Sequence, residues 1–188
     1  MEYSNLSVSI TARQAAQMKL RTKRQKAERE EYQKQLLREG MSVRQMRLEI
    51  ARVRGDYWPT LDALVAGCLR RRLAEDDLAG PWEPLTEEEK LGMSLSGRWP
   101  GPNLGVGLTP RSFILPSDLF EQLRTASWRV SEKPLAELGD RRLTHRGHLS
   151  EQQRAERERL AGLVHSPSRI VRDALDRYAR AEAEPEDE

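Results

Sequence analysis

The side chains of this sequence that could do chemistry are mainly cationic, and they are concentrated in the first third of the chain. Sixteen Lys or Arg residues lie between Thr11 and Arg72, against seven Asp or Glu residues. Closely spaced cations on a helix can contact the phosphates of a polyanion. The same pattern is also typical of a solvated helical face and of a helix that binds a protein partner. The candidate phosphate contacts in the densest block are Lys19, Arg21, Lys23, Arg24 and Lys26.

A second candidate site is the start of the last helix. Ser166 is a good N-cap residue, and Pro167 suits the first helical position. Free backbone N–H groups, the positive end of the helix dipole and Arg169 then come together at one point, which favours binding of an anion. Ordinary capping, with Arg169 in solvent, would account for the same residues. The candidate anion contacts here are Ser166, Ser168 and Arg169.

Other chemistry is not indicated. His145 and His148 could be joined by His165 or Cys68, but this set lacks the paired Cys/His spacing of a structural zinc site. No serine, cysteine or carboxylate pair stands in a catalytic sequence context, and no glycine-rich phosphate loop follows a strand. We therefore expect no metal, no cofactor and no enzymatic activity.

A short strand and two helices must position the C-terminal candidates. Residues 113–115 form an apolar, β-prone run that Pro116 ends. Ser117 is then predicted to cap a helix whose apolar residues recur at steps of three and four. One strand and two helices bury little apolar surface alone, and they bury more if two copies pair their strands. The apolar stripes are Leu119, Leu123, Ala126 and Val130 on the first helix, and Val171, Ala174, Leu175 and Tyr178 on the last.

Two blocks of the chain resemble a ribbon-helix-helix DNA-binding protein. They are Arg-Ser-Phe-Ile-Leu-Pro-Ser-Asp-Leu-Phe-Glu-Gln-Leu-Arg-Thr-Ala, residues 111–126, and Ser-Pro-Ser-Arg-Ile-Val-Arg-Asp-Ala-Leu-Asp-Arg-Tyr, residues 166–178. In that family the strand pairs with its twin from a second subunit. The ribbon enters the major groove, and the start of the second helix holds a phosphate. The family joins its helices with a short turn, whereas residues 131–165 intervene here.

The resemblance implies a homodimer through strand 110–116 that has DNA as its partner. If Phe113 and Leu115 face the core, strand alternation places Ser112 and Ile114 towards the DNA. Arg111 then lies on the core-facing side, at its edge. The DNA contacts implied in the two blocks are Arg111, Ser112, Ile114, Ser166, Ser168 and Arg169.

The fold is predicted to be mainly α, and no internal repeat is visible. We expect an N-terminal charged helix and a small helical unit, a Gly/Pro-rich linker, and a C-terminal ribbon-helix-helix-like domain with one short strand. The expected divisions are a disordered segment 1–10, a basic helical region 11–78, a linker 79–107, the ribbon-helix-helix-like domain 108–181 with its insert 131–165, and an acidic tail 182–188.

The composition limits the class of protein. A content of 37% hydrophobic and 33% charged residues indicates helices with broad solvated faces. The single cysteine, Cys68, excludes an internal disulfide framework and fits a reducing compartment. The first residues lack the regions of a signal peptide, and no apolar run approaches the roughly 20 residues that span a bilayer. We expect a cytoplasmic protein without a membrane partner.

Two functions remain open. The leading hypothesis is a homodimeric DNA-binding protein, either a transcriptional regulator or a plasmid-partition-type protein, with its ribbon in the major groove and its basic helices on phosphates. The alternative is a helical protein–protein interaction or scaffold protein without sequence-specific DNA binding. In that case the N-terminal helix would bind a protein partner.

Overall fold

The chain folds into helices around a two-stranded sheet. This is seen in a computed structural model, which describes residues 2–57, 60–95, 99–101, 106–143 and 148–181. The prediction of a mainly α protein is confirmed, but the described ranges contain two strands where one was expected. The strands are β1 (Tyr3–Thr11) and β2 (Leu108–Pro116), and the helices are α1 (Ala12–Arg38), α2 (Val43–Tyr57), α3 (Leu61–Leu73), α4 (Glu87–Leu95), α5 (Ser117–Asp140), α6 (Glu151–Leu163) and α7 (Pro167–Ala181).

The two strands form an antiparallel ribbon within one chain. Tyr3 lies opposite Pro116, and Thr11 lies opposite Leu108. The expectation that residues 1–10 are disordered is therefore wrong. So is the expectation that strand 110–116 pairs with its twin in a homodimer, because β1 occupies that place. The physical reason is an alternating apolar pattern on β1 that buries Leu6, Val8 and Ile10.

One hydrophobic core lies under the ribbon and draws on both ends of the chain. It contains residues of β1, α1 and α3 together with residues of β2, α5 and α7. Phe113 and Leu115 of β2 are buried in it, as strand alternation predicted. The division of the chain at residues 79–107 therefore does not separate two cores. Within that segment α4 is bound to α5, because the carboxylate of Glu89 pairs with Arg129 at 2.5 Å.

The two halves of the chain repeat the same order of elements. β1, α1, α2 and α3 are followed, after α4, by β2, α5, α6 and α7. Each strand has nine residues and passes directly into a long helix. Buried positions also correspond: Val8 and Met18 in the first half match Phe113 and Leu123 in the second, and Val65 in α3 matches Val171 in α7. The fold is thus duplicated although no repeat is visible in the sequence.

The long insert 131–165 forms a helical hairpin. Instead of ending near residue 130, α5 continues through Pro134 to Asp140, and α6 returns the chain to the core. These helices share a small cluster of their own around Leu138 and Leu160. In the first half, α1 and α2 form the matching hairpin, with Leu36 and Ile50 buried between them. Each hairpin brings the chain back to the ribbon at the start of α3 or α7.

The local helix signals mostly match the structure. Ser150 caps α6, and Gln153 completes a capping box, as predicted. Gly40 ends α1 with a φ of +85°, a conformation that glycine adopts without strain. The prediction that Ser117 caps α5 is wrong. Pro116 is the N-cap residue, and the Ser117 hydroxyl lies 2.9 Å from the Ser4 hydroxyl across the ribbon.

A buried arginine joins α3 to α7 beneath the ribbon. The guanidinium of Arg72 is 4% exposed and donates to Asp173 at 2.5 Å and to both carboxylate oxygens of Asp77 at 2.6 Å. The hydrogen bond from Arg72 lowers the pKa of Asp77 below its ordinary value. Burial opposes ionisation of Asp173, but hydrogen bonds from Arg72 and Arg177 outweigh it and lower the pKa of that carboxyl too. The two helices are therefore held in one relative position by charge-assisted bonds.

Candidate functional site

The face of the ribbon turned away from the core is the first candidate surface. Its side chains alternate with the buried ones along each strand, so they project on the opposite side. Most of them are exposed, none is charged, and they form cross-strand pairs in the register of the sheet. We call this surface the outer face, and it consists of Tyr3, Asn5, Ser7 and Ser9 of β1 and Pro110, Ser112, Ile114 and Pro116 of β2.

The predicted strand contacts lie where alternation places them. Ser112 and Ile114 are on the outer face, and the Ile114 side chain is 58% exposed. Ser112 lies opposite Ser7, and their hydroxyls are 3.1 Å apart. Arg111 lies opposite the buried Val8, on the side of the strand that covers the core, and its own side chain is exposed. Arg111 is thus at the edge of the ribbon, away from the outer face.

Half of the outer face was missed by reasoning from sequence. The four residues of this half, Tyr3, Asn5, Ser7 and Ser9, belong to the segment that was expected to be disordered. The signal that could have identified them is the apolar residue at every second position from Leu6 to Ile10, since this alternation is typical of a half-buried strand.

The start of α7 packs directly against β1. Ser166 accepts a hydrogen bond from the Arg169 amide at 3.3 Å, as a capping residue does. The Ser168 hydroxyl accepts from the Ser9 amide at 3.4 Å. The Arg169 guanidinium donates to the carbonyl oxygens of Gly162 and Val164 at the end of α6. Arg169 is therefore half-buried and hydrogen-bonded, which differs from the alternative to anion binding in which this arginine lies in solvent.

The start of α3 packs against β2 in the corresponding way. Thr60 caps the helix by accepting from the Ala63 amide at 3.2 Å. The Asp62 carboxylate accepts from the Ile114 amide at 3.2 Å. Each strand of the ribbon is thus held by a side chain from the first turn of a helix. The charges differ, because the first turn of α3 carries an acid and that of α7 carries none.

The predicted cationic block lies further along α1. Lys19, Lys23, Arg24 and Lys26 are exposed, whereas Arg21 is partly buried. Arg24 pairs with Glu28 at 2.9 Å. Arg21 and Arg24 also line a groove of about 240 Å³ whose walls come from α1, α3 and α7. The structure brings these cations together with one another, but that groove is not part of the outer face.

Within the described ranges, no three side chains of the His, Cys, Asp or Glu type are grouped so that they could hold a metal ion. His145, which the sequence analysis considered, lies outside those ranges. Of the helices described, none is both long and apolar enough to cross a bilayer.

Comparisons of this chain with protein-family models, with curated proteins and with solved structures found no significant match. Its function must therefore be inferred from the chemistry of the outer face and of the elements that flank it.

Proposed function

We propose that this chain is a DNA-binding protein that inserts its ribbon into the major groove, in the manner of a ribbon-helix-helix protein. One observation carries the proposal. The antiparallel ribbon is backed by a hydrophobic core and exposes a row of small polar side chains. The major groove admits a two-stranded β-ribbon, and the base edges within it can be read by short polar and apolar side chains.

Three types of side chain on the outer face, asparagine, serine and isoleucine, have partners among the bases. The Asn5 amide suits adenine, to which it can donate and accept at the same time. The hydroxyls of Ser7, Ser9 and Ser112 can donate to or accept from several base edges. Ile114 can contact a thymine methyl group, which would cover an apolar side chain that is otherwise exposed.

Phosphate contacts would supply affinity that does not depend on sequence. Arg111 is exposed next to the middle of β2, and Arg13 is exposed in the first turn of α1, just after the end of β1. The five cations of the α1 block could reach phosphates beyond the groove. The start of α7 presents backbone N–H groups beside Ser9, and no acid lies in its first turn. Contacts of these kinds release counterions, so the affinity should fall as salt rises.

In a cell, a protein of this kind would act as a transcriptional regulator or a plasmid-partition-type protein in the cytoplasm. Both roles need a protein that finds one DNA sequence among many. The two roles differ in which other proteins the bound chain recruits.

A protein partner is the second candidate function, and one observation favours it. The hairpin of α1 and α2 exposes several large apolar side chains, which are typical of a protein-binding surface. On this reading the chain is an interaction or scaffold protein, and its N-terminal helices bind the partner. The exposed side chains are Leu20, Leu37, Val43 and Leu48, with exposed fractions of 67%, 46%, 53% and 65%.

Selection from a random duplex pool with the full-length protein separates the two functions. We expect one enriched motif, whose affinity falls linearly on a plot of log K against log salt. Ser7→Asp places a carboxylate at the centre of the outer face, so this variant should stay folded and lose the enriched duplex. Gln152→Glu makes the same charge change on the exposed surface of α6 and should bind like the parent. Equal affinity for all duplexes, or unchanged binding by Ser7→Asp, would favour the protein-partner function.

A further inference from the structure

We infer that one chain occupies one complete DNA site, and that the two halves of that site differ in sequence. This inference rests on the proposed function and specifies the class of DNA that the outer face would take.

A second chain has no place in the ribbon. Both strands come from one chain and are paired along their full length, from Tyr3 opposite Pro116 to Thr11 opposite Leu108. On the far side of each strand, a backbone amide is already bound by a helix: Ser9 by Ser168 and Ile114 by Asp62. A further strand would have to displace these bonds.

The backbone of the ribbon is symmetric in shape. Ser7 and Ser112 are 105 positions apart and lie opposite each other. A shift of 105 positions also relates the start of β1, Tyr3, to the start of β2, Leu108. A twofold rotation about the Ser7–Ser112 pair therefore exchanges the two strands while keeping the register. DNA has the same approximate dyad, so both halves of a site would meet equivalent positions of the ribbon.

The side chains of the outer face do not follow the twofold symmetry of the backbone. The same shift relates Asn5 to Pro110 and Ser9 to Ile114, so no outer-face pair other than Ser7 and Ser112 is chemically matched about the axis. A homodimeric ribbon presents identical residues to both half-sites, and this ribbon does not.

The two ends of the outer face suit different bases. Asn5 and Ile114 lie opposite each other at one end, so an adenine contact and a thymine methyl contact are available to the same half-site. Ser9 and Pro110 lie opposite each other at the other end. Proline offers no hydrogen bond from its ring, and a single serine hydroxyl accepts several bases. The end with Asn5 should therefore specify A·T pairs, and the other end should tolerate variation.

The test uses the full-length protein and the duplexes that it enriches from a random pool. We expect a motif without dyad symmetry and a complex with one chain per duplex by sedimentation. Asn5→Ala should relax base preference at one position in one half of the motif, by about tenfold to a hundredfold. Because Asn5 is exposed, the variant should keep its fold, which circular dichroism would check.

Three results would overturn the inference. They are a palindromic motif, two chains per duplex, and a loss of preference in Asn5→Ala at two dyad-related positions. All three leave DNA binding intact. A pool without any enriched sequence would contradict the proposed function itself, and with it this inference.

Discussion

Ser7 and Ser112 share a hydrogen bond 3.1 Å long at the middle of the ribbon, and the two halves of the fold are arranged about this pair. Residues 105 positions apart in sequence thus become nearest neighbours across the sheet. The ribbon is therefore complete within one chain.

The first prediction concerns the N-terminal strand. Val8 is 3% exposed, so Val8→Asp would place an unpaired charge in the core and should destabilise the fold by more than about 3 kcal/mol. Ser7→Asp introduces the same group one residue earlier, on the outer face, and should change stability little. Thermal unfolding followed by circular dichroism compares the two. Equal stability of both variants would mean that β1 does not cover the core.

The second prediction concerns the ion cluster between α3 and α7. In the variant Asp173→Asn, Arg72 would stay buried and paired with Asp77, but it would lose its charge-assisted hydrogen bond to the carboxylate at position 173. The free energy of unfolding should fall by about 1–3 kcal/mol. This is less than for the loss of a fully buried ion pair, because the Asp173 side chain is 36% exposed. Chemical denaturation at pH 7 measures it. The control is Asp76→Asn at the neighbouring exposed acid, which should change the free energy of unfolding little.

The pH dependence of the same cluster has a defined sign. The pKa values of Asp77 and Asp173 lie below the ordinary value of 3.8 in the folded protein, so both carboxylates stabilise the fold when ionised. Their contribution is complete above about pH 5 and is lost as the pH falls through the folded pKa values. The stability difference between the parent and Asp173→Asn should therefore narrow below about pH 4. A difference that stays constant down to pH 3 would show that the ion pair does not stabilise the folded state.

The third prediction concerns the cations of α1. Changing Lys19, Arg21, Lys23, Arg24 and Lys26 to Gln should weaken binding to all duplexes and leave the preferred sequence unchanged. Each lost phosphate contact should reduce the slope of log K against log salt by about 0.9. Exposed cations outside α1 supply the control, as Lys133→Gln with Arg154→Gln should keep the slope. If the slope also stays constant in the α1 variant, this helix makes no phosphate contacts, and its exposed surface is available to a protein partner.

The fourth prediction separates capping from anion binding at the start of α7. The Arg169 guanidinium donates to two carbonyl oxygens at the end of α6, so Arg169→Gln should destabilise the protein by about 1–3 kcal/mol. Arg154→Gln, on the exposed side of α6, should have no such effect. Urea denaturation measures both. Unchanged stability of Arg169→Gln would free this side chain for the phosphate contact that the sequence suggested.

Local signals in the sequence predicted the helices well. The Ser150 and Gln153 capping box, the glycine at the end of α1 and the N-terminal residues of α7 each depend on atoms a few positions apart. Such interactions are determined within one turn of the chain, so they can be inferred without knowledge of the fold.

Long-range pairing could not be inferred in the same way. The serine-rich sequence of β1 is apolar on one side only, and the strand that completes it is separated from it by about a hundred residues. Arg72 and Asp173 are 101 positions apart, and no local sequence pattern links them. The Gly- and Pro-rich stretch after α3 suggested a domain boundary, but glycine and proline indicate irregular backbone and do not show which elements share a core.

The repeated order of elements is not visible in the sequence because corresponding positions are both buried but are occupied by different residue types. Met18 corresponds to Leu123 and Cys68 to Ala174, and all four side chains are buried in the same core. Many apolar residues can fill equivalent places in a core when their volumes are similar. The outer face also differs in chemistry between the two strands, and under the proposed function this difference is the reason to expect a target with unequal halves.

Both strands of the ribbon come from one chain. A disulfide across the Ser7–Ser112 pair tests this arrangement most directly. The double variant Ser7→Cys and Ser112→Cys would be oxidised at low concentration and examined by non-reducing gel electrophoresis and peptide mass spectrometry. The native thiol of Cys68 is buried, so it should not compete. We expect monomers in which the peptides containing positions 7 and 112 are linked. Disulfide-linked dimers, or two thiols that remain free under oxidising conditions, would contradict it.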